Sequence, residues 1–241
     1  MTRRDLTAAD VLDAWRIGDP APPHLRLARL MAVFVPGETL RTDTLGARNQ
    51  RVIRLGRALL GDALEARLTC LSCGTEIEFA VPEDAILSAS VPDPDTVVAV
   101  TVDGQVHRFR VPTMADLDAA VDALDLTRRC ALDDTPFPEA GLPALEAAFA
   151  SHDPAGDIRI DTACPECGAE TEASVEPAGF VAAGIDRLYR ALLTEVDCLA
   201  RVYGWTEGEV LSLPTDRRRA YVAMVTARAA QARVPGRRVL G

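Results

Sequence analysis

Lysine is absent: all 26 basic residues of the 241-residue chain are arginine. Together with the alanine richness, this usage points to a GC-rich coding bias, which excludes reading each arginine as a separately selected group. Aromatic residues make up only 5% of the chain, so alanine, leucine and valine must fill most of the core. Long hydrophobic runs are also missing. The longest strongly apolar stretch, Leu30 to Val35, falls far short of the ~20 residues that span a bilayer. Asp5, Asp10 and Asp13 interrupt any secretory h-region behind Arg3 and Arg4, so cytoplasmic placement without a membrane is expected. Histidine occurs only at His24, His107 and His152, each alone and with no nucleophile motif nearby. There is no His-Glu-x-x-His and no phosphate-cradling glycine loop. Carboxylate pairs such as Asp133-Asp134 read as loop solvation. Neither a catalytic residue nor a small-molecule substrate is expected, and the chain is read as a non-enzyme.

What is present describes a globular protein: 48% hydrophobic and 26% charged residues, with a net charge of −10. That charge argues against general nucleic-acid binding, which needs a basic surface. It is unevenly spread, because Asp216 is the one acid beside Arg217, Arg218, Arg219, Arg228, Arg233, Arg237 and Arg238 in the C-terminal stretch.

Residues 6–61 read as helical. Thr7 and Asp10 form a capping box ahead of Val11, Leu12 and Trp15. A second helix starts near His24, carries Leu25, Leu27, Leu30, Met31 and Phe34, and ends at Pro36-Gly37. A third starts at Thr44 and stops at Gly61. The pattern then alternates. Leu64 to Thr69 leads into Cys70-Leu71-Ser72-Cys73-Gly74 and leaves through Thr75 to Val81. The same arrangement returns as Asp157 to Thr162, Cys164-Pro165-Glu166-Cys167-Gly168, and Glu170 to Val175. Between the two lie 90 residues, 74–163. Within them Asp103-Gly104 predicts a hairpin joining 97–102 to 105–111. Thr113 predicts the cap of one helix through Met114, Leu117, Val121 and Leu124, and a short helix is expected around Leu145 to Phe149.

A two-residue spacer turns both sulfurs of a Cys-x-x-Cys pair toward one point, and the glycine that follows permits the tight turn. Two such knuckles complete a tetrahedral sulfur site with no open position, so Cys70, Cys73, Cys164 and Cys167 are the expected ligands of one structural zinc ion. In such a ribbon metal binding supplies folding free energy, on the order of 10 kcal/mol or more. The usual gap is ~15–20 residues; the longer one here implies an inserted subdomain. A redox pair would sit between a strand and a helix N-terminus, and four thiolates also suit an iron–sulfur cluster, but the strand–knuckle–strand setting favours zinc. Cys130 and Cys198 read as buried small hydrophobes.

From Pro177 the chain is helical again, with Val181, Ile185, Leu188, Leu192, Val196, Leu199 and Tyr203 on one stripe, long enough to dock against a partner or a domain core. Thr206 to Glu209 is a capping box, with Trp205 placed to staple onto Val210, and Pro214 opens a last helix. The fold class expected is α+β: helical N- and C-terminal regions (1–62 and 177–241) around a split zinc ribbon of two Cys-x-x-Cys hairpins (63–82 plus 156–176), with an α/β hairpin-and-helix insertion (83–155).

The segment Leu192-Leu193-x-Glu195-Val196-x-x-Leu199-Ala200-x-x-Tyr203-Gly204-Trp205-Thr206-Glu207-x-Glu209-Val210-Leu211-x-Leu213-Pro214-x-x-Arg217-Arg218-x-x-Tyr221 resembles the baseplate and tail-assembly proteins of T4-like phages and extracellular contractile injection systems. With both knuckles, the resemblance extends over residues 60–225. It implies a structural or assembly component of a phage-tail-like particle whose partners are other baseplate or tail proteins. The long helix and the segment with Trp205, Arg217, Arg218 and Tyr221 would dock onto one of them. The competing expectation is a zinc-ribbon nucleic-acid or transcription-associated protein using the arginine-rich tail; the acids Glu76, Glu78, Asp161, Glu166, Glu170 and Glu172 around the knuckles oppose it. A thiol oxidoreductase is a third alternative, and it would need an accessible, low-pKa cysteine.

Overall fold

The computed structural model describes residues 7–16, 18–33, 35, 37–61 and 65–233. Arg3, Arg4, Asp5, Phe34, Pro36, Leu64, Arg237, Arg238 and the Arg233 side chain, used in the sequence reading, lie outside the described residues. In chain order the elements are α1 (Ala8–Ala14), α2 (Pro23–Met31), α3 (Gly37–Thr42), α4 (Leu45–Leu60), β1 (Glu65–Thr69), β2 (Glu76–Ala80), α5 (Glu83–Ser88), β3 (Val97–Val102) and β4 (Gln105–Arg110). There follow α6 (Met114–Ala119), α7 (Ala123–Cys130), α8 (Leu142–His152), β5 (Ile158–Ala163), β6 (Glu170–Val175), α9 (Pro177–Tyr203), α10 (Glu207–Ser212) and α11 (Thr215–Arg233). The class is α+β, with three antiparallel two-stranded sheets pairing β1 with β2, β3 with β4, and β5 with β6. No described helix is long and apolar enough to cross a membrane.

The described residues fall into two compact units. One holds 21–183; the other joins the residues up to 20 with those from 184 onward. The first helix therefore groups with the C-terminal helices and not with α2–α4.

In the larger unit α4 is the central support. Thr44 caps it by accepting from the Ala47 N–H, and Gly61 ends it in the left-handed region at φ 75°. Val52, Ile53 and Leu55 are buried, as the apolar period requires, but so are the polar Asn49 and Gln50. Buried amides need partners, and these find theirs far along the chain. Asn49 Nδ2 donates to the Ala155 carbonyl at 2.8 Å; Gln50 Nε2 donates to the Ile86 and Ala89 carbonyls, each at 2.9 Å. The Gly46 N–H donates to Asp153 Oδ2 at 2.8 Å, and a Cβ on Gly46 would lie 1.9 Å from the other oxygen of that carboxylate. Glycine is thus required there by close approach. Arg57 pairs with Glu83 and Asp84 at the start of α5, and Arg48 with Glu176 beyond β6. One helix therefore grips both ends of the insertion, just after β2 and just before β5.

The insertion has its own core of Val98, Val100, Phe109, Val111, Cys130 and Leu145. Phe109 meets Phe137 edge-on at 5.0 Å and Phe149 at 6.4 Å. The turn takes positive φ at Asp103 (52°) and Gly104 (79°), the two-residue geometry expected of this pair. His107 is buried against Phe137, which makes it a core residue. The single helix expected over 114–124 is instead two. Ala120 leaves the helical region, and Asp122 caps α7 by accepting the Asp125 N–H at 2.7 Å, which leaves Val121 86% exposed. A strong N-cap in mid-segment overrides an apolar period.

In the smaller unit the Thr7–Asp10 capping box is complete, α1 packs against α10, and Trp15 Nε1 donates to Asp186 Oδ1 at 2.8 Å. Ile185, Leu192 and Leu199 of the α9 stripe are fully buried. Leu188, Val196 and Tyr203 of the same stripe are half-buried, so part of the stripe serves this chain's own packing.

Asp116 accepts two bonds from Arg110, at 2.5 and 2.7 Å, and two from Thr113, at 2.6 and 2.9 Å. The Arg110 guanidinium and the Thr113 donors hold its carboxyl well below the usual carboxylate range. A folded-state pKa below the unfolded one gives stability that is present above about pH 4 and lost as pH falls below it. Asp116→Asn should therefore cost about 2 kcal/mol near pH 7. In urea unfolding at descending pH, the difference from wild type should shrink steadily below about pH 4.

Candidate metal centre

Each knuckle is closed by the same pair of backbone hydrogen bonds. In the first, the Cys70 N–H donates to the Thr75 carbonyl and the Gly74 N–H to the Cys70 carbonyl, both at 2.8 Å. In the second, Cys164 donates to Ala169 and Gly168 to Cys164, both at 2.9 Å. Gly74 and Gly168 take φ of 77° and 70°. A Cβ at either glycine would meet open space, so the backbone angle and not crowding demands glycine.

The two knuckles bring four sulfurs together. Cys70 and Cys167 Sγ lie 3.7 Å apart, Cys73 and Cys164 Sγ 3.6 Å apart, and all four lie within 4.8 Å of one another. The first cysteine of each pair is buried and the second is exposed. Ile77, Leu68 and Ala169 pack against the buried sulfurs. Ile77 comes from the inward face of β2, so the strand alternation supplies the apolar floor.

The Thr75 hydroxyl and N–H favour the Cys73 thiolate and bring its pKa down to about 6. The backbone N–H groups of Cys73 and Ser72 lower that of Cys70. At Cys167 the Ala169 N–H favours the anion, but the neighbouring Cys73, Cys164 and Cys70 sulfurs together push its pKa up to about 12. Four sulfurs this close cannot all ionise unless a cation sits among them. The cluster is therefore one that could hold a metal ion, with a soft all-sulfur donor set.

The surroundings are acidic. Arg67 pairs with Glu78 at 2.6 Å and Arg159 with Glu172 at 3.1 Å, while Glu166 and Glu170 stand exposed without an ion pair among the described residues. Cys130 lies apart, in the core of the insertion, where burial pushes its thiol up to about 11. Cys198 is half-buried on α9 and outside the cluster. Sequence reasoning missed Thr75, whose donors serve Cys73, and the α4 amides that bring the knuckles together. The polar Asn49-Gln50 pair inside the apolar period of α4 is the signal that could have found the latter.

The other expected contact residues lie in the smaller unit. Trp205 stacks on Tyr203 at 4.7 Å and meets Tyr221 edge-on at 5.1 Å; Arg217 is exposed. Arg218 differs from expectation. It is 2% exposed, ion-paired with Glu195 and bonded to the Leu213 carbonyl at 3.2 Å, so it braces its own unit and is not available to a partner.

No family model matches the chain, and neither a curated protein nor a solved structure matches it.

Two outcomes are expected of substitutions here. Cys73→Ser or Cys167→Ser should drop bound metal well below one ion per chain and lower the melting temperature, whereas Cys198→Ser should leave metal content unchanged by elemental analysis. Arg218→Ala should cost about 3 kcal/mol by stranding Glu195, whereas Arg217→Ala should stay within about 0.5 kcal/mol in the same denaturant titration.

Proposed function

We propose that Cys70, Cys73, Cys164 and Cys167 hold one structural zinc ion, and that the protein is a non-enzymatic structural or assembly component of a phage-tail-like contractile particle. The sulfur spacing carries the metal reading. Thiolates about 2.3 Å from a tetrahedral zinc stand about 3.8 Å from one another, and two of the pairs here are 3.6 and 3.7 Å apart. Four protein ligands leave no position for water or substrate, so the ion would clamp two hairpins and perform no Lewis-acid chemistry. Assembly would proceed in the cytoplasm, where thiols stay reduced and free to bind metal.

The particle reading rests on the C-terminal resemblance. Its residues largely serve one another: Glu195 with Arg218, Tyr203 with Trp205 and Tyr221, and Thr206 with Glu209. That mutual support favours a shared structural module over a shared catalytic site. For the alternative, a nucleic-acid-binding zinc ribbon, the exposed Arg217, Arg219 and Arg228 speak in favour. The acidic fringe of the ribbon speaks against it, because it repels phosphate.

Elemental analysis of purified protein should give one zinc per chain and no visible absorption; a brown, iron-containing product would overturn the zinc assignment in favour of an iron–sulfur cluster. Deleting the gene should abolish sheathed particles in electron micrographs, with recovery on complementation by wild type but not by Cys73→Ser. Normal sheathed particles in the deletion strain would overturn the assembly role and leave the metal reading standing.

A further inference from the structure

The β3–β4 hairpin has two outer edges, and the fold treats them differently. Val98, Val100 and Val102 pair with Phe109, His107 and Gln105 across the two-residue turn. In an antiparallel ladder closed this way those are the hydrogen-bonded pairs. The N–H and C=O groups of Val97, Ala99 and Thr101 therefore point away from β4, as do those of Arg108 on the opposite edge. The β4 edge is covered: the Arg108 N–H donates to Asp133 Oδ2 at 3.2 Å, its carbonyl accepts from the Leu132 N–H at 2.9 Å, and Phe109 bridges to Ala131. The β3 edge is not. Among the described residues no backbone group or side chain pairs with the outward groups of Val97, Ala99 and Thr101, and all three residues are exposed.

Proteins protect open edges with charges, proline, bulges or a covering segment. Here β3 has none of these. It reads Val-Val-Ala-Val-Thr-Val and, of the six strands among the described residues, is the one without a charged residue, in a chain that is 26% charged. Val97 on this strand and Val106 on its neighbour are both 53% exposed on the solvent face. The charges lie just beyond the ends: Asp93 and Asp95 before β3 and Asp103 after it, all exposed.

We propose that the outer edge of β3 is a docking site for an extended segment of another protein, apolar at its centre and basic at its ends, which adds to the hairpin as a third strand. Strand addition takes its affinity from main-chain hydrogen bonds and its specificity from alternate side chains. The acidic ends settle the occupant. A second copy pairing antiparallel through Ala99 would set Asp95 against Asp103 at both ends, and directly opposed like charges destabilise a sheet. A segment with arginine or lysine at those positions meets complementary charge instead.

The full-length protein is titrated into a fluorescent nine-residue peptide, seven alternating threonines and valines with arginine at each end to reach Asp95 and Asp103, and into the same peptide with glutamate at both ends. The arginine-ended peptide should bind at least tenfold more tightly. Ala99→Pro removes one outward N–H without touching a bond to β4, and it should weaken that binding at least tenfold while metal content stays unchanged. The double variant Asp95→Asn/Asp103→Asn keeps the test decisive should Ala99→Pro fail to fold; it should erase the preference between the peptides. Equal binding of both peptides to wild type, or no binding of either at millimolar concentration, would overturn the proposal. A concentration-dependent dimer in light scattering that Ala99→Pro abolishes would do the same, by making a second copy the occupant.

Discussion

The two hairpins that supply the sulfurs share no strand pairing, and 90 residues separate the knuckles, so their meeting depends on α4. Gln50 and Arg57 hold the chain just after β2; Gly46 and Asn49 hold it just before β5. These contacts bring the two ends of the insertion together without using the sulfurs. Lengthening the loop from the common ~18 residues to ~90 adds only about 1.4 kcal/mol of closure entropy. A structural metal ion contributes on the order of 10 kcal/mol. The long insertion is therefore compatible with a stable cluster, and the buried amides of α4 are what set its geometry.

The polar character of that support has a consequence for specificity. An apolar α4 face would bury as readily in several registers, whereas Asn49 and Gln50 are satisfied only when particular carbonyls stand opposite. Gly46 tightens this further, because the Asp153 carboxylate occupies the space a side chain would need. Desolvation raises the Asp153 pKa, and the Gly46 N–H partly offsets that cost. Hydrogen bonding thus selects the arrangement in which the knuckles face each other.

The smaller unit is organised differently. Its buried ion pair and its aromatic trio tie α9 to α11, a capping box starts α10, and Ile185, Leu192 and Leu199 of α9 are buried. Its surface carries the exposed Arg217, Arg219 and Arg228 of α11, while the ribbon carries acids. The charge that the composition reports as a single net value is thus divided among elements with different jobs.

Features set by neighbours in sequence were legible from the sequence alone. Both knuckles, the Asp103-Gly104 turn, the caps at Thr7, Thr44 and Thr206 and the stop at Gly61 depend on bonds spanning a few residues, and residue type is enough to specify them. The α+β class followed from where the period changes. What required tertiary structure was every choice among distant partners: that Asn49 meets Ala155, that Arg218 turns inward to Glu195, that α1 joins the C-terminal helices, and that one edge of the β3–β4 hairpin is covered while the other is open. Local pattern says that a side chain must be buried or bonded, but the partner is decided by how the whole chain packs.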